Sequence, residues 1–264
     1  MDASSLFNVK GKIVLVTGGG RGVGEMIAAG YVANGAKVYI SSRDKKACEE
    51  TCKKLNQLGP GECTALPADL SKFEECQRVV KELGKREKML HILVNNSGAT
   101  WGDTLSTYPD SAFTKLLTLN VQRVFTLTQG LVPLLTKSVE AGHGVARIIN
   151  IGSINGINVP GLETYAYSAS KAALHQMSKH LAANLGPKIT VNTLALGPFR
   201  SKMMQATLDS FESEIASALP MQRIGRAEDV VGACLWLSGK GGEWVTGTVV
   251  PIDGGSLIVS NAKL

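Results

Sequence analysis

The chain of 264 residues is poor in aromatic side chains, at 5%, and its five cysteines include no C-x-x-C pair. It also has no apolar run near the ~20 residues that cross a bilayer. Each absence removes a class of protein. Without a long apolar run no membrane-spanning helix is expected, and Met1 to Lys10 does not join a cationic region to an apolar core as signal peptides do. Cys48, Cys52, Cys63, Cys76 and Cys234 are odd in number and unpaired in spacing, which points to reduced residues in a reducing compartment and away from a zinc site. The lysines are dispersed, as in Lys45 and Lys46, Lys53 and Lys54, or Lys85 and Lys88, with no interleaved aromatics and no basic tail. The net charge of +6 is therefore read as solvated helix faces, not as a nucleic-acid surface. Neither a linker, an internal repeat nor a low-complexity segment divides the chain, so residues 1–264 read as one domain.

What is present is a regular alternation. Short β-branched runs at Lys12 to Thr17, Lys37 to Ser41, Cys63 to Leu66, His91 to Val94, Ala146 to Ile151, Ile189 to Ala195 and Thr248 to Ile252 read as strands. Between them, Val23 to Asn34, Asp44 to Leu58, Phe73 to Leu83, Ser111 to Leu135, Thr164 to Leu185 and Ala227 to Leu237 carry helical spacing. Strand and helix in alternation predict an α/β Rossmann fold: a doubly wound, seven-stranded parallel sheet with helices on both faces and right-handed crossovers.

The first strand runs directly into Thr17-Gly18-Gly19-Gly20-Arg21-Gly22-Val23-Gly24 and then a helix. Glycines allow a tight turn and a close backbone approach to a pyrophosphate, and the helix N-terminus adds unpaired N–H groups and a positive dipole end. Gly18, Arg21, Gly22, Val23 and Gly24 are thus expected to hold a dinucleotide. The second strand decides which one. Where an acidic residue would bind the ribose 2′-hydroxyl stand Ser42 and Arg43, and Arg21 faces the same region. Two arginines and a hydroxyl suit a 2′-phosphate, so the cofactor predicted is NADP(H). Asp44 is assigned to capping the next helix.

Tyr167 and Lys171 stand four residues apart in a helical stretch, with Ser153 fourteen residues before the tyrosine. That spacing projects both side chains from one helix face, where an ammonium favours the phenolate and lowers a phenol pKa that starts near ~10. Ser153, on a glycine-flanked turn, can bond a substrate carbonyl and stabilise developing alkoxide charge. Tyr167 can protonate that oxygen. Tyr165 has Ala169 four residues on and is assigned to the pocket lining.

The glycine loop, Asp69, Asn95-Asn96-Ser97-Gly98, Asn120, Ser153, Tyr167 and Lys171 appear in an order that resembles the short-chain dehydrogenase/reductase family over nearly the whole chain. The resemblance implies a tetrad of Asn120, Ser153, Tyr167 and Lys171. In it Lys171 would also hold the ribose hydroxyls and Asn120 a proton-relaying water. It further implies adenine contact at Asp69, and cofactor contacts at Leu70, Asn96, Ser97, Gly98, Gly197 and Ser201. Two positions depart from the family's wording: Ser97 replaces an alanine, and Leu196-Gly197-Pro198 shifts the usual proline by one.

Residues 199–219 would form a substrate lid. Phe199, Met203, Met204 and Phe211 suit an acyl chain or hydrophobic ketone, and packing of the lid on its own domain explains them equally. Arg200 and Lys202 are read either as contacts to a coenzyme phosphate or as a solvated face. The wording resembles 3-oxoacyl reductases, implying NADPH-dependent reduction of a carbonyl, with 3-oxoacyl thioesters as the leading substrate class. A reductase of small ketones, sugars or secondary metabolites is the rival enzyme, and an NADP-binding sensor or scaffold the rival non-enzyme; an enoyl reductase usually separates its tyrosine and lysine further. The resemblance also implies a homotetramer, or failing that a dimer, through the helices at 111–135 and 164–185 together with the C-terminal strand region. Ala262-Lys263-Leu264 matches the peroxisomal small-basic-leucine pattern and predicts that address in a eukaryotic source, the cytoplasm otherwise.

Overall fold

A computed structural model describes residues 2–201 and 203–259. Lys202 and the Ala262-Lys263-Leu264 pattern lie outside the described residues.

Seven parallel strands form one sheet: β1 (Ile13–Thr17), β2 (Lys37–Ser41), β3 (Glu62–Ala65), β4 (Ile92–Asn95), β5 (Ala146–Ile151), β6 (Ile189–Leu196) and β7 (Val249–Ile252). Their order is β3-β2-β1-β4-β5-β6-β7, the doubly wound arrangement expected. The strands' two-residue period sorts their side chains between two cores. Val14, Val16, Val38, Ile40, Ile92, Val94, Ile149, Ile151 and Leu194 face one core, while Leu15, Tyr39, Leu93, Ile148 and Val191 face the other. Helices α2 (Gly22–Ala33), α3 (Lys45–Leu55) and α9 (Ala227–Ser238) close the first core through Ile27, Tyr31, Leu55, Val230 and Leu237. Helices α4 (Phe73–Arg86), α6 (Arg123–Glu140) and α7 (Tyr165–Leu185) close the second through Val79, Leu83, Leu127, Leu131 and Ala182. Both faces being covered explains why the inner strands β4, β5 and β6 are buried at every residue. Each fully buried aliphatic side chain contributes about 1.5–3 kcal/mol.

Three elements differ from the sequence expectation. A short α1 (Ala3–Leu6), capped by Asp2, precedes the sheet. The single helix expected at 111–135 is α5 (Asp110–Leu117), a widened π turn over Thr118–Gln122, and then α6. The segment expected as a lid carries α8 (Gln205–Ala218), kinked where Phe211 leaves helical geometry at φ −137° and ψ 21°.

Candidate active site

In a parallel sheet all strand C-termini lie on one edge. Here β1 sends its crossover one way and β4 the other, so a crevice opens between their ends. Most of the predicted site residues lie around that edge.

The glycine loop is shaped by close contacts. Gly18 and Gly22 adopt φ of +67° and +56°, in the left-handed region that favours glycine. A Cβ on Gly24 would stand 2.2 Å from the Gly18 carbonyl oxygen, so the helix can meet the loop only with glycine there. Gly18 N–H donates to the Ser41 carbonyl (2.6 Å), and Asn96 Nδ2 donates to the carbonyls of Thr17 (2.9 Å) and Gly18 (3.3 Å). Thr17 Oγ1 accepts from Asn96 N and Ser97 N, both at 2.9 Å. Thr17 thus latches the β1 and β4 ends together, a role its sequence context did not disclose. Arg21 precedes α2 without a side-chain cap, leaving the first N–H groups of that helix facing out. Both Arg21 and Arg43 are exposed, and among the described residues neither enters an ion pair. Asp44 caps α3 by accepting from Ala47 N (3.0 Å), as assigned. Ser42 Oγ is engaged by Cys48 Sγ at 2.9 Å. Asp69 Oδ1 accepts from the Ser71 amide (3.2 Å) and hydroxyl (2.8 Å), and Leu70 is buried. Ser201 lies against Gly22, whose built Cβ would meet its Cβ at 3.3 Å, and Gly197 is pressed on Asp253 in the same way at 2.8 Å from its Cα.

On α7, Lys171 Nζ sits 5.7 Å from the Tyr167 ring centroid and donates to the Ile151 carbonyl at 2.8 Å. The ammonium therefore lies over the ring face, with a hydrogen bond directed at the backbone. Burial dominates both groups: it raises the Tyr167 phenol, with the neighbouring Ser153 hydroxyl pulling the other way, and it lowers Lys171 to about 8. The spacing had predicted a lowered phenol; desolvation outweighs the cation in this geometry. A phenol so placed stays protonated near neutral pH, the state a proton donor needs. Ser153 is buried after β5, and its Oγ accepts from Asn155 N at 3.2 Å. Asn120 sits in the π turn. Its Oδ1 accepts from Ala99 N (3.0 Å), while Nδ2 donates to the Ala99 carbonyl (3.0 Å) and Ser170 Oγ (2.9 Å). Ser170 Oγ in turn donates to the Tyr167 carbonyl at 2.8 Å. A Cβ on Gly98 would lie 3.3 Å from Asn120 Oδ1 and 3.7 Å from Lys171 Nζ. The structure thus brings Asn120, Ser153, Tyr167 and Lys171 into one connected cluster.

A family model described as short chain dehydrogenase matches residues 12–211. The chain belongs to this family. It is 46% identical, over 94% of its length and 97% of the relative's, to the rhamnolipids biosynthesis 3-oxoacyl-[acyl-carrier-protein] reductase of Pseudomonas aeruginosa. It is 34% identical to the short-chain dehydrogenase/reductase PhomF of Diaporthe leptostromiformis, over 98% of this chain and 95% of that one. Among solved structures, the Pseudomonas aeruginosa RhlG/NADP active-site complex superposes with a TM-score of 0.91 at 44% identity, covering 96% of this chain and 98% of that chain.

One further side chain of this short-chain dehydrogenase escaped the sequence reading. His175, buried one turn beyond Lys171, accepts the Ser153 amide on Nε2 at 3.4 Å. Gly152 and Gly156 make room for its ring, since a Cβ on either would come within 2.4 and 2.7 Å of it. Burial and the Lys171 charge hold His175 down to about 4, so the ring stays neutral and Nε2 remains an acceptor. His175→Phe is expected to lower kcat about fivefold to tenfold with the KM for dinucleotide unchanged, and His175→Gln to recover most of it. Steady-state kinetics with both variants check this, and a KM change at constant kcat would contradict it.

In the segment at 199–219 the residues divide between the two expectations. Phe199 is 3% exposed, with its ring packed on Gly225, so it belongs to the core and not to a substrate surface. Met203 and Phe211 are exposed. Arg200 pairs with Glu212 and, at 3.8 Å, with Asp209, so its charge is met within its own segment. Tyr165 stands at the exposed rim, donating to Glu163 (2.8 Å) and meeting Tyr108 edge-on at 5.3 Å. A cavity of about 260 Å³ lined by Pro198, Phe199, Met221, Arg223 and Pro251 includes none of the four clustered residues.

Proposed function

We propose that this chain is an NADPH-dependent carbonyl reductase acting on 3-oxoacyl thioesters. The observation that carries the reading is the Ser153–Tyr167–Lys171 cluster at the C-terminal edge of the sheet. The cradle fits the cofactor. Gly18, Gly22 and Gly24 admit a pyrophosphate against the uncapped N-terminus of α2, while Arg21 and Arg43 offer cations to a 2′-phosphate. NADPH, when bound, supplies the hydride that reduces the carbonyl carbon. Ser153 donates to the carbonyl oxygen and stabilises charge gathering there. Tyr167 gives that oxygen its proton from the phenol hydroxyl. Lys171 holds positive charge by the phenol below its pKa of about 8, and Asn120 fixes the Ala99 backbone and, through Ser170, the first turns of α7. The thioester preference is supported by the 46% identity to a reductase named for 3-oxoacyl carrier-protein substrates. A homotetramer is proposed as well, with a dimer as the smaller alternative; exposed Phe113, Leu117 and Phe125 on α5 and α6 support association of copies through these helices without fixing their number.

Acetoacetyl-coenzyme A assayed beside simple ketones and sugars, with NADPH and NADH in turn, tests the reading through absorbance of the reduced cofactor. The expected result is fastest turnover with the thioester and NADPH. Faster reduction of a small ketone or sugar would assign the rival enzyme class. NADPH binding without turnover of any carbonyl would leave a sensor.

A further inference from the structure

The five cysteines lack a paired spacing in sequence, yet two of them meet in space. Cys52 Sγ on α3 lies 3.1 Å from Cys63 Sγ on β3, about 1 Å beyond the ~2.05 Å of a disulfide. The other three are single. Cys48 is taken up by Ser42, Cys76 points its sulfur at the Leu70 carbonyl, and Cys234 is buried in α9.

The meeting is built into the backbone. Asn56, which ends α3 one turn after Cys52, clamps Cys63 from both sides: its Nδ2 donates to the Cys63 carbonyl (3.1 Å), and Cys63 N donates to its Oδ1 (2.6 Å). The helix end and the strand are thus held at the spacing that brings the sulfurs together. Position adds access. β3 is an edge strand paired only with β2, and Cys52 and Cys63 keep 7% and 5% exposure, so local opening of the rim reaches them without global unfolding.

We propose that Cys52 and Cys63 form a reversible dithiol–disulfide pair that latches α3 to the sheet edge when a peroxide is present. The chemistry takes two steps. The Cys52 thiolate attacks one oxygen of hydrogen peroxide: an S–O bond forms, the O–O bond breaks, and the departing hydroxide takes a proton and leaves as water. The Cys63 sulfur then attacks the sulfenic sulfur: the S–S bond forms, the S–O bond breaks, and the Cys63 proton leaves with the hydroxyl as a second water. The two thiols are oxidised by two electrons and the peroxide is reduced. The order of attack follows the hydrogen bond between the sulfurs, which lowers Cys52 and raises Cys63.

The test needs neither cofactor nor substrate. Purified full-length protein is treated with hydrogen peroxide, alkylated after unfolding, and mapped by mass spectrometry. The expected result is loss of two hydrogens, a single Cys52–Cys63 cross-link, full alkylation of Cys48, Cys76 and Cys234, and reversal by dithiothreitol. Closing the link restricts the unfolded chain, so the oxidised protein should melt several degrees higher than the reduced one. In Cys63→Ser the resolving thiol is missing, and Cys52 should accumulate sulfinic acid in place of the link. Cross-links of mixed pairing, sulfinic acid at Cys52 in the wild-type chain, absence of any link, or an unchanged melting temperature in the linked protein would each overturn the latch.

Discussion

Tyr167→Phe lowers the rate of carbonyl reduction by about 10²- to 10⁴-fold, the span set by a lost general acid, and leaves NADPH binding close to that of the unaltered protein. The reason lies in what the substitution removes. The ring remains to pack in its half-buried place under Lys171, and only the hydroxyl beside Ser153 is lost. Ser153 can still stabilise a developing alkoxide, but the proton is not readily replaced: Lys171 directs its ammonium at the Ile151 carbonyl, and Tyr165 points its hydroxyl at Glu163 on the rim. Steady-state turnover with acetoacetyl-coenzyme A, read beside NADPH affinity from fluorescence, separates the two effects. Turnover within tenfold of the unaltered protein would remove Tyr167 from the chemistry.

The second large effect concerns cofactor choice. Arg21→Ala combined with Arg43→Ala is expected to weaken NADPH about 100-fold while changing NADH little, because charge-assisted bonds to phosphate are lost only where a phosphate is present. Neither arginine supports the fold through an ion pair among the described residues, and Asp44 keeps its capping bond to Ala47. The measurement is the ratio of kcat/KM for NADPH and NADH at low ionic strength, where exposed charges are least screened. A ratio that moves by less than tenfold would shift the selection to Ser42 or elsewhere.

Much of this architecture is legible in the amino-acid sequence. The seven strands fall within a residue or two of the expected runs, and the inner strands β4, β5 and β6 are buried at every residue, which keeps their sequences mostly apolar. Asn120, Ser153, Tyr167 and Lys171 could be named together because their order in the chain resembles that of the short-chain dehydrogenase/reductase family. What escaped depends on distance through space. His175 looks like any polar residue on a helix until Gly152 and Gly156 are seen to fold around its ring. Cys52 and Cys63 belong to different elements, so their spacing in sequence carried no pairing. The sign of the tyrosine shift was missed because spacing gives proximity to a cation but not the direction of its hydrogen bond, nor the extent of burial. Phe199 was offered to the substrate on hydrophobicity alone, a property that core and pocket share.

The widened turn at Thr118–Gln122 makes Asn120 unusually sensitive to chain length. A π turn holds an extra residue, and deleting one residue there would allow α5 and α6 to run on as a single regular helix. The backbone would gain in regularity, yet each residue of a helix is worth ~100° of rotation. With α6 fixed by Leu127, Leu131 and Leu135 in the core, that rotation would fall on the preceding residues and swing Asn120 away from Ala99 and Ser170. An indel of one residue, harmless in an exposed loop, is at this place a choice between a smoother helix and a wired active site.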